Sequence, residues 1–185
     1  NVSFDVSREL FAELNQAVQP WMQERLGRPW KIVQSHAGAG KQARDILDGV
    51  DADVVTLNTV SDIDFLARRG QLLPANWRSL RPYNSAPFST VVVFVVRKGN
   101  PKGIRDWADL VKPGVQLALA NPKTSGTARL VYLSAWSHAL AGPGADEARA
   151  RSFMAELYAR APQLDTGARG ATIGFVQRNM GDVLL

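Results

Sequence analysis

The sequence predicts an α/β protein of two lobes, and three observations carry that prediction. Short apolar runs of strand character alternate with stretches of helical apolar spacing, giving β-α-β-α-β-α up to Gly70. That order builds a parallel sheet with helices on both faces. Residues 71–90 then lose the alternation: Pro74, Pro82 and Pro87 fall among Asn76, Asn84 and Ser85 with no helical period, which marks a connection over the surface. Beyond it, strand, turn and helix resume to the end of the chain. The lobes are expected at residues 1–86 and 87–185.

Taken in order, Val2, Ser3 and Phe4 form a short strand candidate. Asp5 and Ser7 are possible N-caps for a helix whose apolar face is Leu10, Leu14, Ala17, Val18, Trp21 and Met22. Pro20 lies inside that run and predicts a kink or break, and Gly27 ends it. Residues 30–34 are a second strand, 35–40 a turn and 41–47 a helix. The run 54–57 reads as a strand buried on both faces, and 62–69 as a helix stopped by Gly70. The strongest strand signal is 89–96, ended by Gly99, Asn100 and Pro101. A short helix at 106–111 and a strand at 115–120 follow. Pro122 stops that strand, Ser125 or Thr124 caps a helix over 130–140, and 146–158 is the next helix. Residues 165–170 form a turn, 171–178 a helix and 182–185 the start of another strand. A strand that stops at its fourth residue suggests a truncated chain.

Composition sets bounds on function. The 185 residues are 45% hydrophobic and 21% charged, the make-up of an ordinary globular protein. No apolar run approaches the length of a membrane-spanning helix. The start at Asn1, without Met or a basic-then-apolar leader, fits a mature chain or a trimmed one. There is no cysteine, so disulfides and cysteine chemistry are excluded. The net charge of +5 is dispersed. Arg68-Arg69 and Arg97-Lys98 read as solvated ends of apolar segments, not as a nucleic-acid groove. A mild positive field still attracts small anions.

Three turns share one character: glycine and hydroxyl residues immediately before a helix. They are Ser35 to Lys41, Asn121 to Arg129, and Asp165 to Gly170. A helix start offers N–H groups without intrahelical acceptors and a partial positive charge, hence an anion site. The three are expected to converge on one oxyanion. Gly38-Ala39-Gly40-Lys41 is not a P-loop, because Ser35 and Gln42 stand where the motif needs Gly and Ser or Thr. Each turn taken singly is also explained as a tight turn or a capped helix. His36 and His138 lack nearby carboxylates at metal-binding spacing, and no Gly-x-Ser-x-Gly elbow accompanies them. His36 reads as a turn residue with a satisfied hydrogen bond, and the five tryptophans as packing residues.

Several blocks together carry a resemblance: Asn1 to Leu10, Gln34 to Gln42, Val96 to Lys102, Asn121 to Gly126 and Asp165 to Gly170. In that order they resemble the periplasmic sulfate/thiosulfate-binding proteins of bacterial ABC importers, over residues 1–185. The segments 5–14 and 52–62 look closer to the thiosulfate type. The resemblance implies a two-lobed periplasmic-binding-protein fold of the type II, Venus-flytrap kind, with the C-terminal part of the first lobe missing. It implies a dehydrated anion held between the lobes, mainly by backbone N–H groups and a hydroxyl. By motif, the donors are the amides of Asp5 and Ala39, the Ser125 hydroxyl, the amides of Gly126 and Thr127, and the amide of Ala168. Thr127 stands where many relatives have Gly or Asn; an amide donor survives that change, while the side chain is free to alter the pocket. A Trp donor of the sulfate type would fall beyond Leu185.

The resemblance thus implies a monomeric periplasmic receptor that delivers sulfate or thiosulfate to an ABC permease, without catalysis, metal or cofactor. A donor-only site suits a dianion with no proton to give, whereas hydrogenphosphate also needs an acceptor. Asp5 is therefore expected to present its amide and Asp165 to turn away. The alternatives are a phosphoryl- or sulfuryl-transfer enzyme, which would need a general base, nucleophile or metal at the cleft, a binding protein for another tetrahedral oxyanion, and a regulatory anion sensor.

Overall fold

A computed structural model describes residues 1–185. Three short strands open the architecture: β1 (Val2–Phe4), β2 (Ser35–Ala37) and β3 (Val55–Thr56). All pair in parallel, in the order β2-β1-β3, with Val2 opposite both Ser35 and Val55. Helices α1 (Arg8–Leu26), α2 (Ala39–Leu47) and α3 (Val60–Arg68) connect or follow them. The core of this unit is small: Val2, Ala43, Ile46 and Leu66. Ala39, Ala43 and Ile46 lie on one stripe of α2, the spacing that turns them together toward the sheet.

A polar seam runs beneath this core. The buried Ser3 hydroxyl lies 2.7 Å from His36 Nδ1 and 3.0 Å from Ser7 Oγ. Gln42, also buried, donates from Nε2 to the Ser35 hydroxyl at 3.1 Å and to the Ser3 carbonyl at 3.3 Å. These bonds satisfy side chains that would otherwise be costly to bury.

The second unit has four strands in the order β4-β7-β5-β6: β4 (Val95–Val96), β5 (Leu117–Ala120), β6 (Leu164–Asp165) and β7 (Val183–Leu184). β5 is parallel to both neighbours, and β4 is antiparallel to β7. Alternation along β5 divides its side chains between two cores. Leu117 and Leu119 pack with Val131, Ala135, Met154 and Leu157 from α4 (Gly126–Leu140) and α5 (Glu147–Ala159). Ala118 packs on the other face with Ala171 and Phe175 of α6 (Ala168–Arg178). Helices therefore cover both faces of this sheet.

Several local expectations need correction. The hydrogen-bonded strand is at 35–37, not 30–34, because β1 is three residues long and its register begins opposite Ser35. Residues 54–57 are not buried on both faces: only Val55 and Thr56 pair, and Val54 is exposed at the sheet edge. Of the run 89–96, only Val95 and Val96 pair; Val91 and Val93 are 78% and 59% exposed. The β-branched composition is right for a strand, but only β7, two residues long, offers it partners. α1 is not broken at Pro20; the proline leaves one carbonyl without its usual donor, on a helix with no buried residue. Neither Asp5 nor Ser7 caps α1 through its side chain, since the Ser7 hydroxyl donates to the Phe4 carbonyl at 2.7 Å. The short helix expected at 106–111 is present as a 3₁₀ helix over Trp107–Val111, with Asp106 as its N-cap. Arg97 is no solvated end: it donates to the carbonyls of Phe175, Met180 and Gly181 and lies 3.7 Å from the Phe175 ring centroid.

Candidate functional site

In both units the strand ends feed helix starts, and these starts meet. β5 leads into a turn fixed by the Asn121 carbonyl, which accepts from the amides of Thr124 at 3.1 Å and Ser125 at 2.8 Å. Asn121 N–H in turn donates to the Asp165 carbonyl at 2.7 Å, tying this turn to the end of β6. Ser125 is the N-cap of α4; its hydroxyl oxygen accepts from Ala128 N–H at 3.3 Å. Gly126 and Thr127 are then the first two helical residues, whose N–H groups have no intrahelical acceptor. Ala39 and Ala168 hold the same first position in α2 and α6. Asp5 opens the 3₁₀ turn directly after β1.

Gly38 shows how close the turns are. A Cβ there would lie 2.5 Å from the Thr124 carbonyl oxygen and 2.7 Å from that of Thr166. The turns before α2, α4 and α6 therefore meet at a position only glycine can occupy, because both obstacles are backbone. The Thr124 carbonyl also accepts from the amides of Gly40 at 3.1 Å and Lys41 at 3.3 Å. At α6, Arg169 N–H donates to the Asp5 carboxylate at 3.0 Å. The Asp165 carboxylate lies against Gly170 and accepts from Gln163 at 3.4 Å.

Two arginines beside these helix starts are paired with carboxylates across the cleft. Arg129, in the first turn of α4, forms a salt bridge with Asp62 of α3, the two side chains 31% and 5% exposed. Arg169 of α6 pairs with Glu9 of α1 at 2.6 Å. Its own backbone N–H first, and then Arg169, hold the Glu9 carboxyl below its usual range. Arg44 of α2 donates to the Lys123 carbonyl at 3.2 Å. His36, bonded to Ser3 and to Gln34 Oε1 at 2.7 Å, is held below its ordinary value by burial, with the charge of Arg8 adding to it. No three His, Asp or Glu side chains are grouped to hold a metal ion.

A cavity of about 1460 Å³ is lined mainly by apolar residues from β3, α3 and the 84–93 segment, with Asn58, Thr127 and Ala168 among its walls. Its size and apolar lining do not suit a small oxyanion. The helix starts do, since that is where donors without acceptors are concentrated. The structure also reveals roles in the cleft that sequence reasoning did not give: the Thr124 carbonyl as acceptor, Asp62 as partner of Arg129, and Asn58 as partner of Thr127. No local signal marks them, because each acts through a partner far along the chain.

Comparison with known proteins agrees with this architecture. The chain is 49% identical over its whole length to a thiosulfate-binding protein of Pseudomonas aeruginosa, covering 55% of that protein. It is 48% identical to a sulfate-binding protein of Salmonella typhimurium, covering 56% of it. The chain thus spans about half the length of these relatives. The solved structure of the sulfate-binding protein SubI from Mycobacterium tuberculosis superposes with a TM-score of 0.85 at 31% identity, over 99% of this chain and 62% of that one. The fold is therefore the α/β, two-lobed periplasmic-binding-protein fold. Residues 5–185 match the model of the bacterial extracellular solute-binding proteins, and to that family the chain belongs.

Proposed function

We propose that this chain forms the oxyanion-gripping part of an extracytoplasmic receptor, which captures sulfate or thiosulfate between two lobes for an ABC permease. The observation that carries the reading is the meeting of three helix starts at Gly38. The lobes are residues 1–86 and 87–185. The donors are the amides of Asp5 and Ala39 from the first lobe, and from the second the Ser125 hydroxyl, the Gly126 and Thr127 amides, and the Ala168 amide.

Each donor is neutral, and the anion brings the charge. Hydrogen bonds to an ionised acceptor are roughly twice as strong as neutral ones, and aligned helix dipoles add to them. Ser125 suits its role because its oxygen accepts from Ala128 N–H, leaving the hydroxyl proton to donate outward. The arginines at the helix starts are neutralised by Asp62 and Glu9, so they brace the lobes instead of fixing a charge against the ligand. An anion bonded to both lobes favours the arrangement in which these cross-cleft pairs form. Such a site captures and releases without catalysis, metal or cofactor, in a monomer working in the periplasm.

Support for sulfur oxyanions comes from the thiosulfate- and sulfate-binding relatives at 48–49% identity. Calorimetry of the 185-residue chain with sulfate, thiosulfate, phosphate and molybdate tests the reading. Heat is expected with a sulfur oxyanion, and Ser125→Ala is expected to weaken that binding about tenfold or more. No heat with sulfate or thiosulfate would overturn it.

A further inference from the structure

Asn58 and Thr127 meet across the cleft. Asn58 follows β3 in the first lobe, and Thr127 is the second residue of α4 in the other. Asn58 Nδ2 lies 2.8 Å from Thr127 Oγ1. The other end of the carboxamide, Oδ1, is buried with no hydrogen-bond partner. It is pressed against the first residue of α4: a Cβ on Gly126 would come within 2.0 Å of it. A buried acceptor without a donor is unfavourable.

A half-turn of the carboxamide gives Oδ1 a donor, and a bound anion then gives Nδ2 its acceptor. A threonine hydroxyl can donate as well as accept, so Thr127 Oγ1–H would donate to Oδ1. Nδ2 would then face Gly126 at the start of α4, whose first amides, those of Gly126 and Thr127, have no intrahelical acceptor. An anion accepting from those amides would accept from Nδ2 as well. We propose that Asn58 is a further ligand-binding residue of the oxyanion site, donating from Nδ2 to the bound anion, with Thr127 as the positioning residue that fixes its carboxamide. This rests on the anion-receptor reading above. It gives the first lobe a side-chain donor to match Ser125 in the second. It also sharpens selectivity: with Oδ1 held by Thr127, Asn58 offers no acceptor to a protonated oxyanion.

The test uses the 185-residue chain and calorimetric titration with sulfate, thiosulfate and phosphate. Asn58→Ala is expected to weaken sulfur-oxyanion binding about 10-fold or more, the loss of one hydrogen bond to a charged group. Asn58→Asp, which places a carboxylate there, should weaken it about 100-fold or more. Thr127→Val should cost about 5-fold, and should cost nothing further in the Asn58→Ala background, as expected of a residue acting through another. The Asn58 side-chain NH₂ signal of the unmutated chain, followed by NMR, should shift on sulfate addition; this holds even if a variant fails to fold. Wild-type binding with Asn58→Ala unchanged within about twofold and an unmoved NH₂ signal would overturn the inference while leaving the receptor reading intact. Phosphate bound in preference, and lost in Asn58→Ala, would show Oδ1 acting as an acceptor and overturn it too. No binding of any anion by the wild type removes the receptor reading and this inference with it.

Discussion

The two lobes are built from the same alternation of strand and helix, yet they bury very different amounts of it. In the second, β5 has helices on both faces and ten residues form one continuous core. In the first, α1 buries none of its residues, and its apolar stripe of Leu10, Leu14, Val18 and Trp21 is exposed. The 89–94 run between them has the composition of a strand and remains unpaired. Amphipathic spacing thus prepares a face for burial, but stability follows only where another element covers it.

The sharpest way to break this comparison is to cut each lobe at an equivalent apolar position. Leu157→Ala, at a site 0% exposed in the second core, is expected to cost about 3 kcal/mol. Leu14→Ser, at a site 48% exposed on α1, should stay within about 0.5 kcal/mol. Urea unfolding of the two variants measures both, and equal losses would show that α1 is covered in solution. A second prediction concerns the seam between the lobes. Asp62→Ala leaves Arg129 without its carboxylate and is expected to destabilise by about 2–3 kcal/mol, at or below the low end for a buried pair because Arg129 is partly exposed. The double variant Asp62→Ala with Arg129→Met should recover part of that loss.

Acid should distinguish the lobes more gently. His36 belongs to the first lobe, where burial holds it below its ordinary value, while the unfolded chain takes up a proton near 6.5. Below that value the unfolded state binds more protons, so stability falls as pH drops and is fully present above it. Stability measured at pH 7.5 and 5.5 should therefore decline in the wild type and less in His36→Gln. Smallest of all, Glu9→Gln removes the exposed partner of Arg169. Its effect should be slight and should vanish in high salt, in contrast to that of Asp62.

By itself the sequence determined the alternation of elements, the surface connection at 71–90 and the three helix-opening turns. All rest on local chemistry: apolar period, glycine, proline and a capping hydroxyl act within a few residues of one another. Ser125 could be read as a cap for that reason; Ala39, Gly126 and Ala168 read only as residues of the turns before helices, and their amides enter as donors by the family resemblance. Only the tertiary structure decided that Gly38 lies between two backbone carbonyls, that Asp62 faces Arg129, and that Asn58 reaches Thr127. It also decided that residues 30–34 and 89–94 form no ladder. Strand pairing, ion pairs and close backbone approaches are set by partners tens of residues away, and no local period records which partner will arrive.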